Sequence, residues 1–205
     1  MVSRTALANA IQSYHDFMGD QALVYNGPEH SDYQKMKGHP YFEVEAALKG
    51  SVVYDGILYS DMPMHYDLVR DQVVIYNYSG DPISLSGEKI KEFSLSGHRF
   101  LNSTSGFYDL LCTGRVTLLA RRIKIIEESI VDLTLVYTAI EKDRYYAVIA
   151  GVQHPVGNLN SLLALLKDKK KEIRQDLRKK KIKYRKEPER ALVTAVQYYN
   201  QPSHP

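Results

Sequence analysis

Residues 41–78 read YFEVEAALKGSVVYDGILYSDMPMHYDLVRDQVVIYNY, and their rhythm decides the fold class. Asp55-Gly56 stands between two apolar runs. That pair marks a two-residue hairpin, because a type I′ turn needs positive φ at both central positions. A loop of this length sets Tyr54 opposite Ile57, and Val52 opposite Tyr59 on the same face. Pro63 is expected to interrupt the ladder, since it has no N–H to donate. Alternation resumes at Met64, Tyr66 and Leu68, with His65, Asp67 and Val69 pointing the other way. Arg70-Asp71 offers a second tight turn before Val73, Ile75, Tyr76 and Tyr78. Each run has strand length and falls short of the roughly 10–12 residues of a helix. The stretch is an antiparallel meander.

Downstream, the same punctuation recurs. Ser79-Gly80-Asp81-Pro82 is a turn. Ile83 and Leu85 lead into Ser86-Gly87-Glu88-Lys89, and Ile90, Phe93 and Leu95 lead out, as a hairpin with a longer loop would. Ser96-Gly97 and the run Asn102 to Gly106 break the pattern again. Thr113-Gly114 divides Phe107–Cys112 from Val116–Ala120. Arg121 to Ile126 continues or bends a strand. Leu133, Leu135 and Tyr137 are set against Tyr145, Val148 and Ala150 around Glu141 to Arg144. About nine or ten strands at this spacing point to a sandwich, barrel or rolled sheet.

The two ends carry helical periods. Leu7, Ile11, Tyr14 and Met18, three or four apart, predict an amphipathic helix over 5–18, stopped by Gly19. Between it and the ladder, Asn26-Gly27-Pro28 and Gly38-His39-Pro40 punctuate an irregular segment. From Leu159 to Leu177 apolar residues recur at helical spacing behind an Asn158 or Asn160 N-cap. Lys179 to Lys186 is a break, and Pro188 opens a second helix through Ala191, Leu192, Ala195, Val196 and Tyr199. The expected architecture is a mainly β (α+β) single domain over 1–205. It comprises a curved antiparallel meander sheet or partial barrel over 41–150, an N-terminal helix and a basic helical segment over 158–200.

Composition supports that class. At 205 residues, 44% hydrophobic and 25% charged, the chain has the make-up of a globular domain. Sixteen tyrosines, five phenylalanines and no tryptophan suit half-buried pleats. A lone cysteine, Cys112, excludes an intrachain disulfide and a Cys-based zinc cluster. Its apolar neighbours mark it as a small hydrophobe rather than a nucleophile. No apolar run approaches the ~18 residues of a membrane span. The N-terminal stretch lacks the continuous apolar core of a signal peptide.

No motif with its own chemistry appears. The seven histidines show no His-Glu-x-x-His and no pair spaced for one helical face, so no metal site or cofactor is expected. Gly-x-Ser-x-Gly, Gly-x-Gly-x-x-Gly and Walker-type loops are missing. His65 and His98 fall on strands, in structural roles. Asp61, Asp67 and Asp71 lie around the turns of the ladder and read as solvated turn acids. Charge is uneven: from Lys167 to Arg190 there are 13 Lys/Arg and 5 Asp/Glu, a balance of +8, against −5 elsewhere for a total of +3. Acids interleave this run and no stacking platform neighbours it in sequence. A solvated helix face is the first reading, contact with an anionic surface the second, and nucleic acid is not expected.

Several stretches, taken together, resemble a family of exported, β-rich bacterial proteins of unknown function. They are Leu23 to Glu29, Gly38 to Phe42, Val53 to Gly56, Gly106 to Leu111, and the tail from Lys170 through Tyr198-Tyr199-Asn200. The resemblance implies the periplasm or cell surface and transfers no activity. The leading expectation is a non-catalytic binding or assembly module of a bacterial cell envelope, engaging a protein or apolar ligand. It would use exposed tyrosines on the ladder, with Tyr54, Tyr59, Tyr66, Tyr76 and Tyr78 as candidates. The alternative is a carrier holding a lipid or other apolar ligand in a half-barrel groove between sheet and helices. An enzyme with a dispersed site ranks last.

Overall fold

The computed structural model describes residues 24–202. The helix expected over 5–18 lies outside the described residues. The ladder forms β1 (Leu48–Tyr54), β2 (Ile57–Asp67) and β3 (Gln72–Tyr76), followed by β4 (Pro82–Ser84) and β5 (Ile90–Leu95). Next come β6 (His98–Ser103), β7 (Gly106–Cys112) and β8 (Val116–Arg121). β9 (Lys124–Val131), β10 (Thr134–Glu141), β11 (Arg144–Ile149) and β12 (Val152–Val156) complete the strands. Three α-helices close the described chain: α1 (Leu159–Leu165), α2 (Lys170–Lys179) and α3 (Pro188–Asn200). The protein is mainly β. Ten strands belong to an antiparallel sheet that does not close, and β9 and β10 pair by themselves.

The chain divides into two compact units, Met1–Gly97 with Ile125–Ile140, and His98–Lys124 with Glu141–Pro205. In the first, strand order is β5-β1-β2-β3-β4. Asp55 and Gly56 both have positive φ, 50° and 82°, and the register sets Tyr54 against Ile57 and Val52 against Tyr59 as read from the sequence. Pro63 does not end its strand. The two residues Ser60 and Asp61 bulge out opposite Ser51, and β2 runs on through Pro63, which lies opposite Lys49. Pairing to β3 begins only at Met64, so the missing N–H of Pro63 costs no bond there.

Two expected pairings are replaced. Ile83–Leu85 and Ile90–Leu95 are not a hairpin: β4 pairs with β3, while β5 crosses to β1. Residues 133–137 do not face 145–150, because β10 turns back on β9 through Asp132-Leu133, both at positive φ. β11 pairs instead with β8 and β12, turning through Ala150-Gly151. Leu133 and Ala150 are not residues that favour the left-handed region, so each turn carried only half of the signal that Asp55-Gly56 gave.

The irregular segment before β1 is held by the sheet. Phe42 N donates to Tyr66 O and Leu68 N to Pro40 O, extending the pairing of β2 beyond the end of β1. Residues 28–30 lie along β4, where Ser84 N donates to Pro28 O and His30 N to Pro82 O. Both faces of β2 are therefore covered from Met64 to Asp67. Tyr66, fully buried, meets Phe93 edge-on at 5.1 Å between centroids.

In the second unit, strand order is β12-β11-β8-β7-β6. Asn158 caps α1, accepting from Ser161 N at 3.0 Å while its own N–H donates to Ser161 Oγ. The expected long helix breaks at Leu166 into α1, a 3-10 turn and α2. Pro188 opens α3, whose Ala191, Leu192, Ala195 and Val196 pack with Leu162, Leu163, Ile173 and Leu118. Burying each such leucine contributes about 1.5–3 kcal/mol. At the far end of α3, Asn200 clamps the β7–β8 turn, accepting from Val116 N and donating to Val116 O.

Candidate functional site

In the first unit, the polar side chains converge on Asp67. It closes β2 and its side chain is fully buried. Its Oδ1 accepts from the N–H groups of Val69 and Arg70 at 2.9 and 3.0 Å, fixing the turn that follows. Oδ2 accepts from the Tyr33 hydroxyl at 2.6 Å and lies 3.4 Å from His30 Nε2. The solvated-turn reading of Asp67 is thus corrected: residues 30–33, brought back along β4, cover it.

His30 is fixed at both nitrogens. Nδ1 lies 3.0 Å from Ser84 Oγ, and Nε2 lies 3.2 Å from Arg70 Nη1. Nε2 thus faces both a group that can only donate, Arg70, and one that can only accept, Asp67. Burial lowers the His30 pKa, Asp67 works against that, and Arg70 reinforces it. Arg70 also donates to Ser31 O and sits 4.0 Å over the Tyr33 ring. Burial first, and then the bond to Asp67, raises the Tyr33 phenol well above its ordinary value.

A second cluster adjoins along β2 and β3. Tyr41 stacks on His65 at 4.0 Å and 11°, and His65 Nδ1 lies 2.8 Å from the Tyr76 hydroxyl. Burial lowers the His65 pKa and raises those of Tyr41 and Tyr76. Tyr76 then borders an open pocket of about 520 Å³, together with Glu29, His30, Ser31, Asp32 and Pro82.

The sequence Ser84, His30, Asp67 has the composition of a hydrolase triad but not its chemistry. Ser84 is buried, its backbone N–H given to Pro28, so its hydroxyl is not presented to a substrate as a nucleophile would be. Among the described residues, no group of three His, Cys, Asp or Glu is arranged to hold a metal ion. The arrangement is a set of fixed donors and acceptors around a pocket.

The five tyrosines taken from the sequence separate. Tyr54, Tyr59 and Tyr66 are core residues, at 6%, 4% and 0% exposure, so an exposed tyrosine face does not describe them. Tyr66 is covered because β2 is packed on both sides from Met64 to Asp67, whereas Tyr54 and Tyr59 lie on the buried face of β1 and β2. Tyr76 reaches the pocket. Tyr78 is 83% exposed, with Tyr25 edge-on at 5.4 Å. His30, Tyr33 and Arg70 had no distinguishing signal in the sequence.

The second unit holds its own polar centre. The Arg122 guanidinium donates to Asp109 Oδ2 from Nε at 2.9 Å and Nη2 at 2.6 Å, and from Nη1 to Asp143 and Glu189 at 2.8 and 2.5 Å. Burial alone would lower its pKa. Hydrogen bonds to Glu189 and Asp143 and the charge of Asp109 outweigh that and hold it above the ordinary arginine value. The Tyr145 hydroxyl donates to Glu189 at 3.0 Å, and His98 Nδ1 lies 2.8 Å from Asp109.

The groove that a carrier would need between this sheet and its helices is filled. Leu118, Val116 and Ala147 of the strands interdigitate with Leu162, Leu163, Leu192 and Val196. No helix among the described residues is long and apolar enough to cross a membrane. Compared with known proteins, the chain matches no family model, no curated protein and no solved structure.

Proposed function

We propose that the protein is a non-catalytic binding module of a bacterial cell envelope, and that it takes a polar ligand in the pocket beside Tyr76. One observation carries the reading. Tyr76, which borders the pocket, is held through its hydroxyl by His65, itself stacked under Tyr41, so this part of the wall is fixed before any ligand arrives. Such preorganisation lowers the ordering cost of association. Glu29 and Asp32 on the same wall select a ligand bearing amine or hydroxyl donors. The envelope placement rests on the family resemblance of the sequence.

Thermal-shift titration with spermidine and with glucosamine tests the pocket. A saturable rise in melting temperature is expected with at least one of them, lost in Asp32→Asn and reduced in Tyr76→Phe. No shift with either, or an undiminished shift in Asp32→Asn, removes the reading. Fractionation of cells expressing the complete gene product tests the location, and a cytosolic signal refutes it.

A further inference from the structure

We infer that the second unit contains a separate site for an acidic sugar residue of a polyanionic glycan. At one end of β11 and β12 lies an open pocket of about 400 Å³. Asp143, Arg144, Tyr145, Tyr146, Gly157 and Tyr184 border it. A volume of this order falls in the range of about 300–1,000 Å³ typical of small-ligand sites.

Two of the tyrosines have already committed their hydroxyls. Tyr145 donates to Glu189 at 3.0 Å, and Tyr184 donates to Gly157 O at 3.4 Å. What these residues offer a ligand is ring carbon. Pro155 and Pro188 add further apolar surface to the same walls. A pyranose has the matching character, with apolar C–H faces and a hydroxyl edge.

Hydroxyl groups need acceptors. The Asp143 carboxylate accepts from Arg122 and from Ile123 N and still has lone pairs to offer, and the Gly157 carbonyl lies beside it. Arg144 supplies a donor.

Charge then selects the acidic member of that class. Tyr184 sits in a turn with Lys183, Arg185 and Lys186, closed by Lys186 N donating to Lys183 O. All three cations are exposed, and among the described residues none forms an ion pair. The sequence set this basic run aside because no aromatic platform adjoins it along the chain. The fold supplies one by bringing 145–146 to 184.

Isothermal titration of the full chain with short polygalacturonate oligomers, neutral dextran and oligo(dT) tests the inference. Polygalacturonate should bind and weaken as salt rises, and dextran should not bind. Gly157→Leu is the informative variant, because a Cβ there meets nothing within 4 Å and the side chain starts into open space at the pocket's edge. It should weaken polygalacturonate by about fivefold or more, the worth of one lost aromatic face, with an unchanged melting temperature. Lys183→Gln with Arg185→Gln should weaken binding and flatten its salt dependence. Tyr76→Phe, in the other pocket, should leave it unchanged. Absence of polygalacturonate binding, wild-type affinity in Gly157→Leu, or tighter binding of oligo(dT) than of polygalacturonate each overturns the inference.

Discussion

Replacing Arg122 by methionine keeps the apolar stem and removes the guanidinium that bonds Asp109, Asp143 and Glu189 together. The three acids do not suffer equally. Glu189 and Asp143 have side chains 32% and 21% exposed and can turn toward water, whereas Asp109 is 1% exposed and cannot. The loss is therefore dominated by Asp109, which keeps only the His98 Nδ1 contact at 2.8 Å, and should be about 3 kcal/mol, the low end for broken buried pairs. With a urea slope of about 2 kcal/mol per M, the midpoint should fall by about 1.5 M. The double variant Arg122→Met, Asp109→Leu removes both charges at the buried contact. It should recover most of the loss, since an apolar pair of similar volume often equals a buried ion pair. Urea unfolding followed by circular dichroism measures both. If Arg122→Met loses under about 1 kcal/mol, the level of a surface pair, the reasoning about Asp109 fails. It fails equally if the double variant is no better than the single.

Three other expectations follow from the same coordinates. His30 and His65 have lowered folded pKa values, so stability is complete above the ordinary value of 6.5 and declines as pH falls below it; unfolding at pH 7 and pH 5 should show this, and His65→Gln should reduce the slope. Tyr33→Phe strands an acceptor on buried Asp67 and should cost about 1.5–3 kcal/mol in urea unfolding at unchanged slope. Gly50→Ala places a Cβ 2.3 Å from Met64 Sδ and 2.5 Å from the Ser94 carbonyl and should cost about 1–3 kcal/mol. Gly56→Ala meets no atom within 4 Å and should cost only the roughly 1–2 kcal/mol of a left-handed backbone; a Gly50→Ala protein as stable as the parent would contradict the packing described.

Where sequence and structure agree, the information was local. The Asp55-Gly56 turn and the Tyr54–Ile57 register, the Asn158 cap, the Pro188 start and the break after Lys179 each depend on residues within a few positions of one another. Turn chemistry, capping and hydrophobic period act over that range, so they are written in the order of residues. The candidate site was legible only at Tyr76. Tyr54, Tyr59 and Tyr66 share its pattern but not its surroundings, because alternation tells which side a residue faces and not whether that side is covered.

The sequence by itself determined that pleated strands, glycine-bearing corners and a basic helical tail would form. Tertiary structure alone decided that β5 crosses to β1, that β10 folds on β9, that 28–42 seals β2 and buries Asp67, and that Asp109, Asp143 and Glu189 meet at Arg122. Partner choice among strands, and the burial of a charge, are sums over contacts distant in the chain. No local pattern contains those sums.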